Sequence, residues 1–204
     1  MNVSIPEEKR GDISASVHEL IQARWSPRSF SDRPVSDADL KTILEAARWA
    51  ASSSNEQPWR FIVAHKSDAA SYDKLLHLLV PANQIWAQSA PLLLITLAKK
   101  TFAQSGKPNL YAWHDTGQAL AHIFLQATAL NLHAHGMAGF DRDRARTELG
   151  IPEDYDPVAA VALGYLESPD KLPEPYRERE RNPRTRKPLS ELTFAGTWGS
   201  PLQL

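Results

Sequence analysis

Six consecutive residues able to hydrogen-bond, Ser52, Ser53, Ser54, Asn55, Glu56 and Gln57, run directly into Pro58, Trp59, Arg60 and Phe61. That is more polar function than a connection between two elements needs, so the stretch is a candidate ligand loop. A serine-rich turn that satisfies a helix end is the other reading of the same residues. Arg24, Trp25, Ser26, Pro27, Arg28 and Ser29 form a second polar cluster, with two guanidiniums and two hydroxyls in one turn. Forked guanidinium donors match phosphate oxygens, so this turn could converge on an anion; a solvated arginine pair at a helix end is the alternative. Further on, two glycines bracket small side chains in Gly136, Met137, Ala138 and Gly139, where backbone N–H groups could meet something flat or anionic, or simply make a turn. Arg177, Arg179, Arg181, Arg184, Arg186 and Lys187 then crowd a proline-rich tail, a run that would ordinarily be a solvated face.

These clusters need elements to hold them. Ile13, Val17, Leu20 and Ile21 recur at helical spacing, with Ser16 three residues before Glu19 as a capping box, and the helix should stop near Arg24 because Pro27 follows. Ser36 reads as the cap of a second helix with Leu40, Ile43, Leu44 and Ala47 on one face, which delivers the chain to the serine loop. Phe61 to Ala64 reads as a strand. A third helix carries Leu75, Leu76 and Leu79, and Pro81 should end it. The uninterrupted run Leu92 to Ala98 reads as a strand buried on both faces. The longest helix is expected from about Tyr111 to Leu130, followed by a helix Arg142 to Leu149 capped by Asp141 and a second apolar strand Val158 to Leu166. From Glu167 the chain reads as loop, ending in a strand-like Leu192, Thr193 and Phe194. Such a long irregular stretch suggests a tail that wraps over another surface.

Composition narrows the chemistry. The chain has 204 residues, 42% of them hydrophobic, 23% charged, and a formal charge of -1. It should form one domain over 1–204, with 1–12 as a flexible arm and 167–204 as an extended tail. Near-neutral charge gives no global attraction for nucleic acid or an anionic membrane surface. With no cysteine present, thiolate nucleophiles, thiolate metal sites and disulfides are excluded. No apolar run approaches the roughly 18 residues of a membrane span, and the polar N-terminus is unlike a signal peptide, so a cytoplasmic protein is expected. His114, His122, His133 and His135 have no carboxylate at a recognised ligand spacing, and no metal is expected. G-x-G-x-x-G after a strand, a P-loop, G-x-S-x-G and H-E-x-x-H are all absent.

Taken together and in order, Arg24, Ser26 and Arg28, then Ser52, Ser53, Asn55, Gln57, Pro58 and Trp59, then Met137 to Asp141, then Arg186, Lys187, Pro188 and Leu189 resemble the nitroreductase family of FMN-dependent, NAD(P)H-using flavoproteins. The match runs from about Val17 to Trp198. The resemblance implies an α+β fold with a central mixed β-sheet flanked by helices, a homodimer with flavin sites at the interface, and a C-terminal segment that wraps onto the dimer partner. Carried over position by position, Arg24 and Ser26, with Trp25 between them, look like the phosphate turn and Arg28 like the cation at the flavin N1 and O2 edge. Ser52, Ser53, Asn55 and Gln57 look like the loop on the ribityl chain and pyrimidine ring, with Asn83 as a further pyrimidine-side contact. Ala138 and Gly139 look like the segment whose N–H donates to flavin N5, and Arg184, Arg186 and Lys187 like a phosphate clamp from the tail. Asn131 stands where a glycine commonly ends the long helix, and Asn accepts left-handed geometry. The implied activity is ping-pong transfer of electrons from NADH or NADPH through flavin N5 to a flat, electron-poor acceptor such as a nitroaromatic or quinone. No side chain is expected as general acid or base, since the cofactor supplies the chemistry. A flavin-dependent dehydrogenase, an oxygen-using offshoot and an FMN-binding module without turnover are the alternatives.

Overall fold

The computed structural model of the chain describes residues 5–9, 11, 13 and 15–203. Four strands, β1 (Trp59–His65), β2 (Leu92–Lys99), β3 (His133–Met137) and β4 (Tyr155–Gly164), make one sheet in the order β1-β2-β4-β3. Seven α-helices surround it among the described residues: α1 (Glu19–Ala23), α2 (Asp37–Arg48), α3 (Ala69–Leu78), α4 (Pro81–Ala87), α5 (Ala112–Ala129), α6 (Arg142–Glu148) and α7 (Tyr176–Arg181).

The continuous apolar run of β2 makes it the buried centre, as its lack of alternation predicts. Leu92 and Leu94 point into one core with Ile43 and Ala47 of α2 and Ala119, Ile123 and Ala127 of α5. Leu93, Ile95 and Leu97 point into the other, with Tyr72, Leu75 and Leu78 of α3 and Trp86 and Ala87 of α4. The result is helices on both faces of a sheet. The α+β class stands, but every strand pairing is antiparallel where a mixed sheet is expected. The reason lies in the connections. β2 and β3 do run the same way, joined by a crossover through α5, and β4 then inserts between them antiparallel to both.

Local signals fared unevenly. The Ser36 hydroxyl caps α2 by accepting from the Asp39 N–H at 3.0 Å, and Asp141 caps α6 in the same way through Arg144. Asn131 takes the left-handed conformation expected of it at the end of α5, with φ of 57°. The first helix is shorter than its period suggests. It begins at Glu19 and is capped by His18, whose Nδ1 accepts from the Leu20 N–H, so Ser16 is no cap. Ile13 stays exposed, and without a buried face nothing extends the helix backwards. Pro81 does not end the third helix; α3 stops at Leu78 and Pro81 opens α4, where its fixed φ suits the first turn. Leu192 to Phe194 form no strand, and Phe194 makes only an isolated bridge to Pro201.

Two further segments differ from expectation. β3 lies where the sequence reads as loop, because His133, His135 and Gly136 carry little strand preference until β4 offers an edge. The tail contains α7, and part of the proposed arm is docked: Lys9 is buried, with its ammonium donating to the Asn182 carbonyl at 2.6 Å and sitting 4.7 Å from the Trp25 ring centre. Residues 1–4, 10 and 12 of that arm lie outside the described residues.

Candidate functional site

Arg24, Trp25, Ser26 and Arg28 line one concavity of about 340 Å³ together with Arg184 and Arg186 of the tail. Residues 160 positions apart are thereby joined, and the turn and the tail face the same space. The Arg24 guanidinium lies 3.3 Å from the Ser26 hydroxyl. Burial, and then the neighbouring guanidiniums of Arg184 and Arg186, push the Arg24 pKa below its ordinary value. Arg184 is pushed down likewise, by burial and by Arg186. The carboxylate lining this space, Glu180, is occupied by backbone N–H groups of the turn. Several guanidiniums gathered without a free counter-charge make a site for an anion such as a phosphate.

The turn is held from three sides. Glu180 of α7 accepts from the Arg28 N–H and the Ser29 N–H. His135 of β3 donates through Nδ1 to the Pro27 carbonyl at 2.8 Å, since a carbonyl can only accept. Arg184 donates to the Arg24 carbonyl at 2.8 Å and the Gln22 carbonyl at 2.6 Å. Arg184 therefore spends both terminal nitrogens on the backbone, and its part is to build the turn more than to grip a ligand. Beneath the turn, His133 packs edge-on to Trp25 with ring centres 6.1 Å apart, and among the described residues neither imidazole nitrogen has a hydrogen-bond partner. Burial first, and Arg24 second, hold His133 down to about 4; His135 is likewise held down to about 4, chiefly by burial.

Asn83 and the Ala138–Gly139 pair also meet. Asn83 Nδ2 donates to the Gly139 carbonyl at 3.0 Å, as does the Val80 N–H at 3.1 Å. A Cβ on Gly139 would fall 2.8 Å from Asn83 Nδ2 and 3.0 Å from Val80 Cγ2, so a side chain there would displace the Asn83 amide. Among the described residues, neither the Ala138 N–H nor the Gly139 N–H donates to a backbone carbonyl, which leaves both available. Three residues after Asn83 on α4, Trp86 stands 6.0 Å from the Arg28 guanidinium and packs against His135 with the rings tilted and their centres 4.5 Å apart, tying this group to the arginine turn.

The serine loop is elsewhere. Ser52 Oγ accepts from the Gln57 N–H at 3.0 Å, and Asp115, buried in the first turn of α5, accepts from the Ser53 N–H at 2.9 Å. Ser54, Asn55 and Gln57 all have positive φ, near 50° to 55°, a conformation non-glycine residues hold only when their surroundings enforce it. Such strain is common at ligand loops. None of these residues lines the arginine concavity. The loop is pinned at the start of α5, whereas the arginine turn packs on His133, four residues past its end. An 18-residue helix is about 27 Å long, so one chain keeps the two clusters far apart. Lys187 is not brought in either: it is largely exposed and lies 3.5 Å from Glu191.

Sequence reasoning missed Lys9, Glu180, His135 and Asp115. Glu180 sits in an alternating Glu-Arg run that looks solvated, and nothing local marks the one carboxylate that turns inward. Asp115 carried a weak signal as an acidic residue in a helix's first turn.

Known proteins share this fold. A solved oxidoreductase containing FMN superposes with a TM-score of 0.87 at 38% identity, covering 93% of this chain and 96% of that one. A nitroreductase family protein from Clostridium difficile 630 superposes with a TM-score of 0.69 at 31% identity, covering 88% and 97%. An NADH dehydrogenase of Thermus thermophilus is 31% identical over 176 residues, which covers 70% of this chain and 82% of that protein. The nitroreductase family model matches residues 21–165, taking in the arginine turn, the serine loop and the Ala138–Gly139 pair, and this chain belongs to the nitroreductase family.

Proposed function

We propose that this protein is an FMN-dependent oxidoreductase that takes electrons from NADH or NADPH and delivers them to a flat, electron-poor acceptor such as a nitroaromatic or a quinone. The observation that carries the reading is the gathering of Arg24, Arg184 and Arg186 around one concavity, with the proton affinity of Arg24 and Arg184 lowered by burial and by neighbouring guanidiniums. A flavin phosphate would supply an anion there. Arg24, Ser26 and Arg186 would hold it, with Arg184 shaping the turn. Arg28, beside Trp86, would set a positive charge against the flavin, and the free N–H groups of Ala138 and Gly139, with Asn83 behind them, would meet its ring edge. When bound, FMN supplies the redox chemistry that no side chain here provides.

The strained Ser52–Gln57 loop would contact the ribityl chain and pyrimidine ring of a flavin held by a second copy of the chain. Support comes from the length of α5, which separates loop and arginine turn within one molecule. Leu110, Tyr111 and Trp113, at the same end of α5 as the loop, are largely exposed, and apolar surface of that kind marks an interface. Assembly of two copies, with the tail beyond Arg186 lying over the partner, completes the site in this reading. In this reading Trp113, whose indole N–H donates to Asp156, and the half-buried Phe102 would line an acceptor slot. Among the described residues, no helix is long and apolar enough to cross a membrane.

The test is the visible spectrum of the purified protein before and after NADH or NADPH under argon. A yellow protein that bleaches supports the proposal, with an acceptor screen to follow. A colourless protein that also fails to take up added FMN overturns it.

A further inference from the structure

The arginine turn is held in part by a side chain whose carboxylate is committed to the backbone. Glu180 is 2% exposed, yet both its carboxylate oxygens are engaged. Oε1 accepts from the Arg28 N–H at 2.8 Å and the Ser29 N–H at 3.1 Å, while Oε2 accepts from the Arg28 N–H at 3.0 Å. Its contact with the Arg28 guanidinium is longer, at 4.0 Å. The carboxylate thus serves the backbone first and the arginine side chain second. Burying a carboxylate is unfavourable unless several hydrogen bonds compensate, and here backbone N–H donors provide them, as in a designed oxyanion site. Burial raises the Glu180 pKa against the lowering influence of those N–H groups and of Arg28.

We propose that Glu180 is the positioning residue of the anion-binding turn. By fixing the backbone at Arg28 and Ser29 it aims the side chains of Arg24, Ser26 and Arg28 into the shared concavity. It also makes the anion site depend on docking of α7, because Glu180 comes from the tail and the turn from the N-terminal region. Without it the Arg28 and Ser29 N–H groups lose their partner and the turn is free to relax, so the guanidiniums no longer converge. Arg184 and His135 hold other backbone atoms of the turn, but neither reaches these two N–H groups. This inference rests on the flavin reading above, in which the anion is the FMN phosphate.

The experiment compares FMN with riboflavin, which lacks only the phosphate. Flavin is removed from the purified full-length protein and its return is followed by quenching of flavin fluorescence in wild type, Glu180→Ala, Glu180→Gln and Glu180→Asp. Wild type should prefer FMN to riboflavin by tenfold or more, about the worth of one or two charge-assisted hydrogen bonds. In Glu180→Ala the preference should collapse by about tenfold with riboflavin affinity little changed. Gln keeps an acceptor oxygen at the same reach and should restore the preference to within about threefold of wild type. Asp keeps the charge but withdraws it by one methylene, and should fall between; it carries the test if the Ala variant does not fold. An unchanged FMN-to-riboflavin ratio in Glu180→Ala or Glu180→Asp overturns the proposal. So does an equal loss of both flavins, which would mean that Glu180 only supports the fold. A wild type that binds flavin without preferring FMN overturns the phosphate assignment itself, a result read before any variant is made.

Discussion

Replacing Asp115 by alanine should loosen the serine loop. The carboxylate is 2% exposed and accepts from the Ser53 N–H at 2.9 Å, while its other oxygen lies 2.9 Å from His114 Nδ1. A hydrogen bond to a charged acceptor contributes about 1.5–3 kcal/mol net, and losing the burial cost of the carboxylate places this one near 2. The His114 contact adds little, because that side chain is mostly exposed. Against the loss stands strain: Ser54 and Gln57 are held at φ of 53° and 51°, each at a cost of about 1 kcal/mol that a freed loop partly recovers. The net expectation is a destabilisation of about 1–2 kcal/mol, or roughly 2–8 °C in melting temperature for a chain of this size. Urea and thermal melts at fixed protein and flavin concentration measure it, since linkage to assembly or ligand would otherwise shift the midpoint. Asp115→Asn should recover more than half, because its carbonyl can still accept from Ser53 while its amide donates to His114. An alanine variant that melts within about 0.5 kcal/mol of wild type and binds flavin equally well would refute the claim that Asp115 holds the loop in its strained form.

Three other outcomes follow from the same structure. Gly164→Ala would place a Cβ 2.4 Å from Pro91 Cδ and 3.3 Å from Phe30 Cδ1, against a rigid ring, so urea melts should show a loss of about 2 kcal/mol or more. Arg24→Ala should weaken FMN binding by about tenfold or more while leaving riboflavin nearly unaffected, a difference that flavin fluorescence reads directly. Acid should destabilise the protein through the imidazoles of His133 and His135. His133 and His135 stay neutral in the folded state down to about pH 4, whereas in the unfolded chain they take up protons below about 6.5, so stability falls as pH drops from 6.5 towards 4. Each accounts for roughly 2–3 kcal/mol across that window. His133→Leu, which removes a ring with no hydrogen-bond partner, should flatten the fall by about half without loss of stability at pH 7, and denaturant melts across pH 4–7 check it.

Much of the architecture was written locally. The buried run of β2, the caps at Ser36 and Asp141 and the left-handed Asn131 follow from residue chemistry acting within a few positions. Candidate site residues could be named from the same stretches, because ligand loops concentrate polar groups that packing does not explain. What the sequence by itself could not decide is which charges face inward. Glu180 and Arg181 are neighbours in one alternating run, yet one is buried against the Arg28 and Ser29 backbone and the other pairs with Asp170 at the surface. Arg184 and Lys187 read alike as clamp residues, yet the first is tied to two carbonyls and the second stays exposed beside Glu191. His133 and His135 read as loop residues until β4 supplied the edge that made them a strand, which buried the first ring and half-buried the second under the arginine turn. In each case the deciding partner lies far away along the chain. Tertiary structure alone sets the balance between desolvating a charged group and satisfying it, since that balance depends on which N–H and carbonyl groups the fold brings within reach.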